Sequence, residues 1–468
     1  MNTFYWYDYE TFGLNPKTSR IAQFAGLRTD EDLNIIGEPL ELYCKPTNDT
    51  LPSPESCLIT GITPQLCEKK GIIEHQFIKK IHQEFSQPNT CIVGYNNIRF
   101  DDEFTRYTLY RNMIEPYGWH WKNGNSRWDI LDMIRMCYAL KKEDSLNWVY
   151  DDEGVPIFKL DQLAPANGIE HSNAHDAVAD VIATIELAKI IKQKQPQLFA
   201  HAFKLKDKKV VAKNITLFEP ILHTSGMYGN KNSNTRLCTP IAFNPKLQDR
   251  VIVFNLEQNP QIILDLSVDE IHKRQYAKKE ENLERVAIKE LIFNKSPMFV
   301  PNIYKLNSKI CEQLDIDFAQ NIKHLEFIKQ NQQQIQQKII EVYKKENDFE
   351  QIDDVDQKLY DGFISNNDNK ILEEIQILNK EQLKNYQPYF SDGRLSTLFF
   401  HFKARNYPEI LDNQESELWF EIVQERLQNG KDNYLTFDTF FHTIEKLKQK
   451  SQDLKLLKSL ESYVEKMI

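Results

Sequence analysis

Hydrophobic and polar positions alternate most regularly at the very start of the chain. Residues 4–13 (FYWYDYETFG) are dominated by aromatics, with Asp8 and Glu10 two positions apart. Alternate residues of a strand share a face, so the two carboxylates point the same way. Residues 20–29 (RIAQFAGLRT) and 35–44 read as two more strands, divided by Asp30-Glu31-Asp32. The three together predict an antiparallel meander. Pro54 and Pro64 each stand where a short helix opens. Phe77, Ile78, Ile81 and Phe85 recur at helical spacing. Residues 91–95 (CIVGY) predict a short buried strand running into NNIRFDDEF, with a helix over 103–113.

Further along, Tyr117, Trp119, Trp121 and Trp128 make a dense aromatic segment, and residues 128–132 lead into a helix to about 140. Residues 151–154 (DDEG) read as a turn. Residues 159–166 predict a short helix ended by Asn167-Gly168. The stretch 168–180 (GIEHSNAHDAVAD) opens a helix that runs to about 194 and is stopped by Pro196. Asn173 with Asp176 resembles a capping box.

After Pro196 the texture changes. Short apolar strands such as 251–254 (VIVF) and turns such as 226–230 (GMYGN) predict a small β-rich domain. Helices are appended to it, among them a Gln-rich one over 321–345. Residues 346–358 read as an acidic linker, and the pattern from about 359 onward is helical. Three domains are expected, 1–195, 196–350 and 351–468. There are no internal repeats and no G-x-x-x-x-G-K-[ST] loop, so ATP hydrolysis is not indicated.

Composition narrows the class. The 468 residues are 41% hydrophobic and 27% charged, as in soluble globular proteins. No apolar run reaches the ~18 residues a membrane span needs, and no secretory signal precedes the first strand, so a cytoplasmic protein is expected. The seven cysteines are scattered without a C-x-x-C, which disfavours zinc and disulfides. A net charge of −10 speaks against nucleic acid at the level of the whole chain. Locally, Lys204, Lys206, Lys208, Lys209 and Lys213 are opposed only by Asp207. Such a run is either a solvated surface or a phosphate track.

Charge also changes the reading of the first strand. Two carboxylates side by side on an apolar strand are either solvated acids of a half-exposed edge or ligands of a hard divalent cation, magnesium or manganese. Asp101, Asp102 and Glu103 follow a strand end, where one acid can cap the helix and another can serve a site. His175 and Asp180 lie five apart, about 140° around a regular helix, so they serve different roles. D-x-E, N-x-x-x-D and H-x-x-x-x-D thus occur in order, on elements expected to converge on one sheet.

These motifs resemble those of the DEDDh exonucleases. Longer pieces are similar to the bacterial exonuclease I family. They are 8–13 (DYETFG), 94–103 (GYNNIRFDDE), 125–129 (NSRWD), 167–177 (NGIEHSNAHDA), 223–227 (HTSGM), 360–363 (YDGF) and 403–408 (KARNYP). The resemblance implies an α/β exonuclease domain of ribonuclease H type with a mixed sheet, a Src-homology-3-like β-barrel domain and a C-terminal helical domain. It implies single-strand-specific 3′→5′ hydrolysis of DNA to 5′-mononucleotides, in repair and recombination.

Asp8, Glu10, Asp101 and Asp180 are then ligands of two magnesium ions, with manganese able to substitute. His175 is the general base, and Glu10 also touches substrate. Arg106, Tyr117, Trp121, Arg135 and Phe158 correspond to residues contacting single-stranded DNA. Lys159 stands where the family's best-known member has an arginine, so the charge survives without the bidentate fork. Single-stranded DNA and the acidic tail of single-stranded DNA-binding protein are the implied partners of a monomeric enzyme. The alternatives are an RNA-directed DEDDh enzyme, whose chains are much shorter, and a non-catalytic clamp, which would be expected to lose some of the acids.

Overall fold

Strand β1 (Thr3–Thr11) is the axis of the first sheet. It pairs antiparallel with β2 (Ile21–Thr29), which pairs antiparallel with β3 (Ile35–Tyr43). On its other side it runs parallel to β4 (Thr90–Gly94). The expected meander is present, and the parallel partner makes the sheet mixed.

Alternation along β1 sorts its chemistry by face. Tyr5, Tyr7 and Tyr9 pack with Phe77, Ile81 and Phe85 of the helix Glu74–Phe85 and with Phe104. Tyr7 meets the Phe85 ring edge-on, 4.9 Å between centroids. Each such buried ring contributes about 1.5–3 kcal/mol. Asp8 and Glu10 are left on the opposite face.

The computed structural model describes residues 2–170, 176–276, 283–301, 303, 308–346, 352–451 and 453–468. They form two compact units, Met1–Ser126 with His171–Ile182 and Glu350–Ile468, and Arg127–Glu170 with Ala183–Phe349.

In the first unit, the helices Pro54–Thr60 and Pro64–Lys70 begin at the predicted prolines, with Ser53 and Thr63 as N-caps. They share a core with the C-terminal helices Phe437–Lys448 and Leu454–Val464. A second core joins Tyr107 and Tyr110 to Leu372, Leu398 and Phe402. Residues 403–408 explain themselves here. Asn406 Nδ2 donates to Asn112 Oδ1 (3.0 Å), and Tyr407 Oη pairs with His75 Nδ1 (2.7 Å).

In the described part of the acidic stretch, residues 352–358, acids are drawn into the fold. Asp356 is fully buried, and its Oδ2 accepts from Arg405 (2.6 Å) and Arg426 (2.8 Å). Asp49 Oδ2 accepts from Arg20 (2.8 Å), Arg405 (3.0 Å) and Arg426 (2.8 Å). Charge runs read as solvent-facing until distant guanidinium groups close on them.

Strand β5 (Ser126–Asp129), which the sequence pattern did not show, is where the chain passes from the first unit to the second, and the helix Ile130–Lys141 follows it. A short hairpin pairs two-residue strands, β6 (Val149–Tyr150) with β7 (Pro156–Ile157). Asp151 Oδ1 accepts from the amides of Glu153 and Val155 across its turn, where Gly154 takes φ +77°. The larger sheet is antiparallel. It comprises β8 (Ile221–Thr224), β9 (Thr235–Phe243), β10 (Arg250–Asn255), β11 (Ile288–Ile292) and β12 (Met298–Pro301).

Its order is β11-β10-β9-β8-β12. The expected barrel is therefore open among the described residues. β11 and β12 are its two edges, and four-residue β12 pairs with β8 alone. The Gln-rich segment is two helices, Phe318–Gln330 and Gln332–Lys344, broken at Asn331, whose Nδ2 donates to the Phe327 carbonyl.

Candidate active site

Strand β4 makes the opening. Its register with β1 ends at Trp6↔Val93, so Asp8 and Glu10 project beyond its last residue, Gly94. Crevices at the carboxyl ends of parallel strands are where α/β sheets bind ligands. Gly94 permits the sharp exit. A Cβ there would lie 2.7 Å from Asn97 Cβ and 3.0 Å from the Tyr7 carbonyl. A register shift between Glu10 and Thr11 bends β1 at the site, as bulges beside functional groups do.

The three acids after β4 divide their work. Tyr7 Oη donates to Asp102 Oδ1 (2.7 Å), which ties the fully buried Asp102 to the central strand. Glu103 accepts from Arg106 (2.8 Å) and from Tyr360 Oη (2.5 Å). Asp101, 3% exposed, begins the helix Asp101–Arg111. None of the three is the side-chain cap of that helix, whose N-cap is Phe100.

Asp180 comes from the first turn of the helix Ala177–Lys194. Asp176 precedes that helix, and its Oδ1 accepts from Val178 N (3.0 Å). Asn173, the other half of the expected capping box, and His175, the expected base, lie outside the described residues.

Asp8, Glu10 and Asp180 bring carboxylate oxygens within 4.8 Å of one another. Asp101 stands outside this trio. Burial, then the charge of Asp180, pushes the Asp8 carboxyl well above the ordinary carboxylate range. Burial and the neighbouring Asp8, Asp180 and Asp176 push Glu10 up to about 9. Three acids, Glu10 buried and Asp8 and Asp180 half-buried, repel one another and form a donor set for a hard divalent cation, which relieves desolvation and repulsion together.

A second cluster, Asp354, Asp356 and His401, also has suitable spacing. Its carboxylates are already engaged by Arg405 and Arg426, so a cation there would have to displace two guanidinium groups.

The raised carboxyls set a pH dependence for the metal-free protein. A folded acid that still holds its proton between its unfolded value, ~4.3 for Glu, and its folded value makes stability fall as pH rises. The expected result is a thermal midpoint that declines from about pH 5 toward 9 in chelator, with the decline largely removed by magnesium. Parallel melts with and without magnesium check it. A midpoint in chelator that rises across that window overturns it.

The remaining candidates fall into two groups, one in each unit. In the first unit, Arg106 is buried and its guanidinium lies over Tyr117, 5.8 Å from the ring centroid. Trp121 is 59% exposed, whereas Trp119 and Trp128 are core residues. Tyr360 and the exposed Phe363 join Tyr117 at 6.4 and 6.1 Å. This platform was not assigned from sequence, where YDGF was a motif without a role. Its nearest partner in space, Glu103, is 257 residues away along the chain.

In the second unit, Arg135 bonds Asp132 (2.6 Å) and lies 6.0 Å from the Phe158 ring. Phe158 is 5% exposed, edge-on to Tyr138 and Trp148, so most of its ring is already covered. Lys159 is exposed at the N-cap of the helix Leu160–Ala166. The helix dipole disfavours a cation there. Lys204, Lys208, Lys209 and Lys213 are exposed.

Residues 5–188 match the family model Exonuclease, 206–345 the Exonuclease I SH3-like domain, and 353–467 the Exonuclease I C-terminal domain. Exodeoxyribonuclease I of Haemophilus influenzae is 43% identical, over 100% of this chain and 99% of its own length. The structure of Escherichia coli exonuclease I in complex with a dA16 oligonucleotide superposes with a TM-score of 0.95 at 38% identity, covering 100% of both chains. A structure of SSB/exonuclease I in complex with the inhibitor CFAM gives a TM-score of 0.91 at 37% identity, again covering 100% of both.

Proposed function

This chain belongs to the exonuclease I family, and on that premise we propose that the Asp8-Glu10-Asp180 trio is the centre of a single-strand-specific 3′→5′ exodeoxyribonuclease serving DNA repair and recombination. The observation that carries this reading is the trio itself, gathered beyond the end of β4, in a chain that aligns end to end with exodeoxyribonuclease I.

Asp8, Glu10 and Asp180 hold the divalent cation, with Asp101 as the fourth acid of a two-magnesium site that manganese can also fill. The bound cation supplies Lewis acidity and charge neutralisation at the scissile phosphate. His175 accepts the proton of the attacking water, the role imidazole most often fills in catalysis. The P–O3′ bond breaks, the shortened strand keeps its 3′ hydroxyl, and a 5′-mononucleotide leaves.

Arg106 and Lys159 engage phosphates, while Tyr117, Trp121 and Phe158 pack against bases or sugars. In the second unit Arg135, held by Asp132, contacts a strand phosphate. The lysines of residues 204–213 offer further phosphate contacts. The partition is an exonuclease domain (1–195), a domain of Src-homology-3 type built on the open antiparallel sheet (196–350) and a helical domain (351–468).

The partners are single-stranded DNA and the acidic tail of single-stranded DNA-binding protein, and the enzyme is a cytoplasmic monomer. Among the described residues no helix is long and apolar enough to cross a membrane.

The test uses a 5′-labelled single strand with magnesium. The expected result is a ladder shortened from the 3′ end with mononucleotide release, a blunt duplex left intact, and RNA of the same sequence cut far more slowly. Equal rates on RNA favour the exoribonuclease reading. RNA cut with DNA intact establishes it, and both strands left intact leave only the clamp.

A further inference from the structure

Glu103 is an acid on what the proposed function treats as a path for a polyanion. Its carboxylate spans two groups of that path. Oε1 accepts from Arg106 Nη1 at 2.8 Å, and Oε2 accepts from Tyr360 Oη at 2.5 Å. Arg106 Nη1 also donates to Tyr360 Oη (3.2 Å), and its Nη2 lies 3.4 Å from His120 Nε2. The side chains of Arg106 and Glu103 are 8% and 20% exposed. A guanidinium so covered needs a counter-charge whenever no strand is bound. Glu103, one helical turn earlier, supplies it. A phosphate reaching Arg106 therefore meets a site that is already neutral, beside a carboxylate that repels it.

We propose that Glu103 is a resident competitor of the DNA phosphate for Arg106, exchanged for it when the strand binds and restored when the strand advances. Glu103 thus lowers affinity and speeds release of a phosphate that must move on with each nucleotide removed. It is a positioning residue, acting through Arg106 and Tyr360. This rests on the reading that Arg106 meets the strand.

Glu103→Gln keeps an acceptor for Arg106 and for Tyr360 and removes the charge. The expected result is a severalfold lower KM for single-stranded DNA, a kcat that does not rise, and an unchanged magnesium dependence. The plot of log affinity against log salt should steepen by about 0.7, the increment of one further phosphate contact on a single strand. Glu103→Ala, which removes both oxygens, moves KM in the same direction. In an Arg106→Gln background the Glu103→Gln effect disappears.

An unchanged or raised KM in Glu103→Gln, with Arg106→Gln still weakening binding, overturns the exchange and leaves the strand contact standing. If Arg106→Gln itself alters neither KM nor the salt slope, the strand contact fails and the proposal falls with it.

Discussion

Asp180→Asn is expected to lower the rate of single-strand degradation by roughly 10³-fold or more, the factor that several kcal/mol of lost transition-state stabilisation represents. Asp8→Asn should do the same, since Asp8 shares the cluster with Asp180 and Glu10. The amide is isosteric, so it removes charge and leaves the fold in place.

Stability separates a lost metal site from a damaged protein. In chelator each variant should melt above the parent, because burial and like charge hold Asp8 and Glu10 in an unfavourable state. Magnesium should raise the parent's midpoint through binding linkage and the variants' far less. Wild-type rates in Asp180→Asn, or equal stabilisation by magnesium, would remove the trio from the mechanism.

Asp49→Ala is expected to cost about 3–5 kcal/mol, the usual consequence of leaving buried charges without their partner. Asp49 Oδ2 is shared by Arg20, Arg405 and Arg426, and all four side chains are 0–3% exposed. Asp356 bridges Arg405 and Arg426, while Glu74 lies 3.5 Å from Arg20 and 4.0 Å from Arg111. Residues from the first sheet region and the C-terminal helices are therefore parts of one neutralised cluster. A denaturant midpoint lowered without a change in slope checks the prediction, and Asp49→Asn should lose less.

The cluster also has a pH signature. The arginines hold Asp49 and Asp356 well below the ordinary carboxylate range, despite burial that acts the other way. An acid with a depressed folded pKa stabilises above its unfolded value, ~3.9, and loses that contribution only as pH falls through the folded value. The stability gap between parent and Asp49→Asn should stay constant from neutral pH to about 4 and narrow only below it. A gap that vanishes by pH 5 would show that the arginines do not hold Asp49 charged.

Local pattern carried much of this protein. A repeat of two placed Asp8 and Glu10 on one face, and Ser53-Pro54 and Thr63-Pro64 opened helices where expected. The same local reasoning could not divide Asp101, Asp102 and Glu103. Their roles depend on Tyr7 and Tyr360, which lie 95 and 257 residues away. It read Asp354 and Asp356 as linker because no neighbour in sequence neutralises them, whereas Arg405 and Arg426 do so in space. Barrel closure was also beyond it, since strand count does not say whether the outer strands meet.

By itself the sequence determined that a pair of acids would share a face of an aromatic first strand, and that further acids would follow on later elements. Neighbours in the chain impose those facts through backbone geometry. Only the tertiary structure decided that Asp180 joins Asp8 and Glu10 within 4.8 Å, that Asp101 stands outside the trio, and that Asp102 and Glu103 are engaged elsewhere. Carboxylates buried together are unfavourable without a cation, and no local preference of the backbone brings them there. The packing of distant elements does.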